Sequence, residues 1–209
     1  MEPVSVVRGR VCPIDANDVD TDQIIPKQFL KRVERTGFGP FAFYEWRYEA
    51  DGTEKPDFPM NRPEHAGASI LVAGRNFGSG SSREHAPWAL EDAGFDAIVA
   101  ESFADIFRTN CAKIGLLCVQ LDAHVVRQLF DLVAADPSVE VTVDLPDQRV
   151  HADGVGELDG VDVHFDIDPH TKHCLIEGLD DIALTLQQED AVTAYEADRP
   201  TWRPRVPTP

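Results

Sequence analysis

Three short apolar runs, at residues 70–73 (ILVA), 97–100 (AIVA) and 116–119 (LLCV), constrain this chain more than any other feature. Each run is continuous rather than alternating. A strand with one face in water alternates apolar and polar residues, whereas a strand covered on both faces has no need to. Short continuous runs with helical stretches between them therefore predict a partly parallel sheet with helices packed on it. The intervening stretches carry helix signals. Residues 83–93 end at Gly94, and residues 103–114 follow Ser102, an N-cap candidate, and stop at Gly115. Residues 123–135 follow Asp122 and place Val125, Val126, Leu129, Phe130 and Val133 at helical spacing.

The pattern changes after residue 138. Val139, Val141, Val143 and Leu145 alternate with polar residues, as do Val161, Val163, Phe165 and Ile167. These read as half-exposed antiparallel strands, with a hairpin edge between them. From Thr171 the chain reads as helical, then ends in a proline-rich tail, RPTWRPRVPTP, that cannot hold a helix and is either disordered or docked on a neighbour with Trp202 as the anchor. Residues 37–63, rich in glycine, proline and aromatics, read as a long loop for a partner or substrate. The expected fold class is α/β, a mixed sheet with flanking helices, spanning residues 1–188. Residues 189–209 form an acidic, then proline-rich arm.

Nineteen Lys and Arg against 37 Asp and Glu give a net charge of -18. That balance repels nucleic acid and anionic membranes, and any anionic substrate must be captured by a local positive pocket. The N-terminus has no apolar core of signal-peptide length, and the stretch from Ala68 to Gly74 is too short to span a bilayer, so the expectation is a soluble cytoplasmic protein. Cys12, Cys111, Cys118 and Cys174 form no C-x-x-C pair and have no histidine at zinc-finger spacing. They read as reduced core thiols, with no metal site on this chain.

The segment from Gly74 to His85, GRNFGSGSSREH, leaves the 70–73 strand and opens the next helix. Gly78 and Gly80 allow unusual backbone angles and close approach of a ligand. A helix start presents N–H groups with partial positive charge, and Arg83 adds a guanidinium fork that matches a carboxylate. The turn predicts an anion held at Ser81, Ser82 and Arg83. It is not a P-loop, which needs Gly-Lys-Ser/Thr; Arg83 stands at the third glycine of a dinucleotide fingerprint; and no G-x-S-x-G elbow is present. A plainer alternative stands beside it, because Ser81 and Glu84 have capping-box spacing and Ser81 could simply cap the helix.

GRNFGSGSSREHAPWAL resembles the signature of the swivelling β/β/α domain of the aconitase superfamily. Residues 18–26, DVDTDQIIP, are similar to the opening block of the 3-isopropylmalate dehydratase small-subunit family. Further similar blocks follow in order at 29–38, 102–110, 165–168 and 177–186, so the likeness runs from about residue 8 to about 188. It implies a hydro-lyase that isomerises 2-isopropylmalate to 3-isopropylmalate through isopropylmaleate, in leucine biosynthesis. It also implies a large-subunit partner carrying a [4Fe-4S] cluster, with no cofactor on this chain. By the same likeness Ser81 is the base, and Ser82 and Arg83 bind substrate carboxylates. Asp22 orients its neighbours with help from Thr21, and Phe29, Leu30, Lys31 and Val33 belong to a substrate-recognition loop. His85 is read as structural, and Asp18 and Asp20 as turn formers. A sister enzyme of the 2-methylmalate or homoaconitate type would share Ser81–Arg83 and differ at 29–38. A non-catalytic scaffold predicts a degraded turn, and this turn is intact.

Overall fold

The computed structural model describes residues 1–32, 34–200 and 202. Its strands are β1 (Val6–Ile14), β2 (Ile70–Ala73), β3 (Ala97–Ala100), β4 (Leu117–Gln120), β5 (Glu140–Asp144), β6 (Arg149–Ala152) and β7 (Val161–His164). They form one sheet in the order β4-β3-β2-β1-β5-β6-β7. The four strands from β4 to β1 are parallel, whereas β1–β5, β5–β6 and β6–β7 are antiparallel. The mixed sheet is as expected, with two additions. β1, unpredicted, is the seam between the halves: Val11 pairs with Ile70 on one side, and Val7 pairs with Val143 on the other. The stretch read as a hairpin edge contains β6.

The helices are α1 (Thr21–Ile24), α2 (Tyr44–Arg47), α3 (His85–Asp92), α4 (Asp105–Ile114), α5 (Ala123–Ala135), α6 (Pro169–Glu177), α7 (Asp181–Leu186) and α8 (Glu189–Ala197). Alternation along the strands separates two cores. Ile70, Val72, Ala97, Val99 and Val119 face α5, which buries Val125, Val126, Leu129, Phe130, Leu132 and Val133, and the antiparallel strands share this core. Leu71, Ala73, Ile98 and Ala100 face the other way, against α1, α3 and α4. Full burial of a side chain of this kind is worth about 1.5–3 kcal/mol, so covering both faces explains the continuous runs.

Residues 37–63 are not an open loop. Gly39–Phe41 and Pro59–Asn61 are 3-10 turns flanking α2 and the connection after it, Phe38 and Phe43 are fully buried, and Phe43 contacts Trp46 and Phe58 (ring centroids 5.6 and 5.8 Å). Aromatic contacts organise this arm without a repeating period, which is why it read as loop. Ser102 is not the cap of α4. Ala104 holds that place, and the Ser102 hydroxyl instead accepts the Asn76 N–H at 2.8 Å. The C-terminal segment folds into three helices, α6 to α8, and most of the proline-rich tail lies outside the described residues.

Candidate active site

The glycine-rich turn lies between two segments that clamp it. On one side Gly78 N–H donates to Val19 O (2.8 Å) and Thr21 N–H to Ser79 O (2.8 Å); on the other, Phe77 N–H donates to Ser102 O and Ala104 N–H to Phe77 O, both at 3.0 Å. At its root the Asn76 amide donates to Asp18 Oδ1 (2.9 Å) and Arg75 lies 3.4 Å from Asp18 Oδ2. The Asn76 hydrogen bond, followed by the Arg75 charge, holds the Asp18 carboxyl below its ordinary range. Asp20 caps α1 and shares a capping box with Gln23. Asp18 and Asp20 therefore hold local structure, in line with their reading as turn formers. Gly78 has φ +76, and a Cβ there would fall 2.1 Å from the Phe107 ring, so glycine is required on both counts.

Beyond this clamp the turn is open. Ser81 and Ser82 are exposed, and among the described residues neither hydroxyl has a hydrogen-bond partner. The capping alternative for Ser81 fails, because α3 starts only at His85 and is preceded by Glu84, whose side chain makes no capping bond. Its first two residues, His85 and Ala86, have N–H groups with no carbonyl one turn back within the helix, and Pro87 has none to offer. Thr21, 2% exposed, donates its hydroxyl to the Ser81 carbonyl at 2.9 Å. Arg83 is 19% exposed at its side chain and Asp22 is 52% exposed. The Asp22 carboxylate takes both terminal nitrogens of the Arg83 guanidinium, Oδ1 from Nη1 and Oδ2 from Nη2 at 3.2 Å. That edge of the fork is engaged within the chain. Of the five guanidinium N–H donors, those not given to Asp22 remain for a ligand. His85 stands beside the site with its ring against Phe38 and Trp88 (centroids 5.4 and 4.9 Å).

Thr21, Ser81, Ser82 and Arg83 line one cavity of about 250 Å³ together with Gly78, Gly80, Ala104, Asp105, Ile106 and Phe107. Ile106, 55% exposed, was given no role by sequence reasoning. Its signal is a large apolar residue at the second position of a helix whose buried residues are Phe107 and Cys111. Phe29, Leu30 and Lys31 do not line this cavity. They sit on a 3-10 turn, Lys27–Lys31, where the Phe29 ring stacks on Phe41 (4.2 Å, 13°) and meets Tyr44 edge-on (4.9 Å), Leu30 is half-buried and Lys31 is exposed. Val33 lies outside the described residues. A larger cleft of about 770 Å³ at the ends of β3 and β4 holds none of the predicted site residues, and its Arg75, Arg108, His124 and His164 are offset by Glu101, Asp122, Asp166 and Asp168.

The four cysteines are free. Burial pushes the Cys12 thiol up to about 12 and raises Cys111 well above its ordinary value, so both rest as neutral thiols. Among the described residues no group of three or more His, Cys, Asp or Glu is gathered to hold a metal ion, so the donor set does not fit an iron–sulfur cluster on this chain. No helix among them is long and apolar enough to cross a membrane.

This clamped turn, at the carboxyl end of a parallel β-strand, belongs to a recognised class: the family model of the aconitase C-terminal domain matches residues 1–124. The model of the C-terminal domain of the 3-isopropylmalate dehydratase small subunit matches residues 181–208. Curated relatives, each named 3-isopropylmalate dehydratase small subunit, include that of Chloroflexus aurantiacus, 54% identical over 96% of this chain and 97% of its own. That of Geobacillus kaustophilus is 55% identical over 94% and 96%, and that of Bacillus subtilis 50% identical over 97% and 98%. The chain belongs to the 3-isopropylmalate dehydratase small-subunit family. The fold is also that of the crystal structure of 3-isopropylmalate dehydratase (leuD) from Methanocaldococcus jannaschii, with a TM-score of 0.62 at 22% identity, covering 91% of this chain and 99% of that one.

Proposed function

We infer that this chain is the small subunit of a hydro-lyase that converts 2-isopropylmalate to 3-isopropylmalate through isopropylmaleate, a step of leucine biosynthesis, and that it completes an active site shared with a large subunit. The observation that carries the reading is an unpartnered Ser81 hydroxyl beside Arg83 in one cavity, in a chain at least 50% identical to small subunits along nearly its whole length.

The reaction removes a proton beside a carboxylate and expels hydroxide, then reverses both with the positions exchanged. Ser81 takes the proton. Its hydroxyl is exposed and, among the described residues, tied to nothing, as a group that must reach a substrate carbon has to be. Ser81 takes the proton as the alkoxide, having first given up its own, and an alkoxide is populated only where its oxyanion is stabilised; the α3 start and Arg83 are the positive groups at hand. Arg83 holds a substrate carboxylate through the donors not given to Asp22, and Ser82 adds a hydroxyl. Asp22 fixes the guanidinium plane, and Thr21 fixes the backbone that carries Ser81. Loss of hydroxide calls for a Lewis acid. The likeness to the small-subunit family supports a [4Fe-4S] cluster on the large subunit as its source. We read residues 189–209 as an arm to the 1–188 unit, a reading supported by exposed Val192 on α8.

The test is to co-express the chain with a large subunit, purify the pair without oxygen, and assay 2-isopropylmalate, 2-methylmalate and homoaconitate. The pair should contain iron and prefer 2-isopropylmalate, and the lone chain should be folded, iron-free and inactive. Stoichiometric iron in the lone chain, or a pair that prefers another substrate, overturns the reading.

A further inference from the structure

Helix α3 ends on Glu91 and Asp92, with no basic residue in its last turn. Carboxylates there face the negative end of the backbone dipole, and aspartate is a poor helix former besides. A residue disfavoured by its own helix needs another reason to be there. One is visible in the Asp92 carboxylate, whose Oδ2 accepts the backbone N–H of Phe38 at 2.7 Å. The next residue, Gly39, lies so close to the helix end that a Cβ would fall 2.4 Å from the Asp92 carbonyl oxygen. Phe38 is fully buried, its ring 5.4 Å from His85 and 6.0 Å from Trp88, with the Arg32 guanidinium 5.5 Å from its centroid.

We propose that residues 29–38 recognise the substrate, as their family likeness implies, and that Asp92 is a positioning residue that seats the far end of this segment on the helix that begins beside Ser81–Arg83. The inference rests on the functional reading above. The segment follows α1, which Thr21 ties to the Ser81 carbonyl, packs Phe29 on Phe41 and Tyr44, and is held again at the Phe38 N–H. α3 is then a strut about 12 Å long, at 1.5 Å per residue, with the reactive turn at one end and the anchor of the recognition segment at the other. Without the Asp92 carboxylate, ordering that segment draws on substrate binding. That cost falls on KM, while the reacting groups at the far end of the strut keep their geometry.

The experiment uses the reconstituted complex carrying Asp92→Ala, Asp92→Asn or Gly39→Ala, with 2-isopropylmalate and 2-methylmalate as substrates. Asp92→Ala should raise KM for 2-isopropylmalate about three- to tenfold, as for loss of one charge-assisted hydrogen bond, with kcat per folded complex within about twofold of wild type. The preference over 2-methylmalate should narrow in step. Asp92→Asn, whose amide oxygen still accepts, should recover most of the loss, and Gly39→Ala should repeat it by displacing the same anchor. An unchanged KM in Asp92→Ala, a loss confined to kcat, or equal damage from Asp92→Asn overturns the proposal. If Asp92→Ala does not fold, the contrast between Asp92→Asn and Gly39→Ala decides it. A wild-type complex that fails to turn over 2-isopropylmalate overturns the functional reading, and this inference with it, and is seen before any variant is compared.

Discussion

Strands β2 and β3 are buried at every residue, whereas β5 and β6 bury alternate residues and leave the rest at the surface. The parallel half is covered by helices on both faces, so each of its strands must hand over to a helix at the carboxyl edge. Those handovers supply the cavity: the turn after β2 contributes Gly78 to Arg83, and the start of α4 after β3 contributes Ala104 to Phe107. The antiparallel half closes through short connections, β5 to β6 above all, and contributes none of the cavity's residues. Ligand sites in open α/β sheets lie outside the carboxyl ends of parallel strands for this geometric reason. The difference between the halves teaches that one half supplies the candidate site and the other completes the core that supports it.

The sharpest way to break this division is Ser81→Ala. Turnover of the reconstituted complex should fall about 10²–10⁴-fold, the range of a lost general base, while melting stays within about 0.5 kcal/mol because Ser81 caps nothing. Near-normal turnover would move the base elsewhere, with His85 next to test. Second in size, Ile98→Ala in β3 should cost about 2–5 kcal/mol in denaturant unfolding, and Val163→Ala in β7 about 1 kcal/mol or less. Equal costs would mean that the two halves are equally packed. Arg83→Lys should lower kcat/KM about tenfold or more, since an ammonium cannot both pair with Asp22 and present a planar fork to a carboxylate.

A smaller effect is expected at His65, buried with Nδ1 3.0 Å from the Val11 carbonyl. Burial is the main cause that lowers its pKa from the ordinary 6.5, opposed by the Val11 carbonyl and Glu64. The unfolded chain therefore binds the proton more readily. The stability that neutral His65 contributes is complete above pH 6.5 and is lost as pH falls from there through the folded value. His65→Gln should flatten that part of the stability profile, and an imidazole titrating at or above 6.5 by NMR would contradict it. Smallest of all is the response to salt. With a net charge of -18, capture of a dianion is local, so kcat/KM at low substrate should stay level or rise by less than about twofold as ionic strength increases. A steep fall with the subunits still associated would place a positive funnel on the partner.

How much of this was legible depended on whether a feature repeats. β2 and β3, and the buried face of α5, were readable because burial on both faces or at helical period leaves a mark in the residues themselves. β1 left no such mark. Arg8 and Arg10 interrupt its apolar residues, Gly9 sits where a Cβ would strike the Ser69 hydroxyl, and both arginines are used at a distance, Arg8 with Glu140 and Arg10 with the Glu64 and Ala66 carbonyls. The aromatic arm at 37–63 escaped because ring contacts between Phe29, Phe41, Tyr44 and Tyr48 follow no period. At the site, residue types and the glycine-rich turn pointed to Ser81–Arg83. Only coordinates could distinguish a cap from an open hydroxyl, or reveal that Asp22 occupies one edge of Arg83.

The seam strand also has a history within each molecule's synthesis. β1 is made before the strands it pairs with: its partner on one side is β2, and its partner on the other, β5, ends at Asp144. At about 5–20 residues per second, the second edge of β1 goes without its native neighbour for on the order of ten seconds. For that interval a nine-residue strand presents open hydrogen-bonding groups to any chain being made nearby. The arginines and glycine that hid β1 from a reading of the sequence are thus also its protection: charge and a missing side chain make the nascent edge a poor template for its neighbours on the polysome.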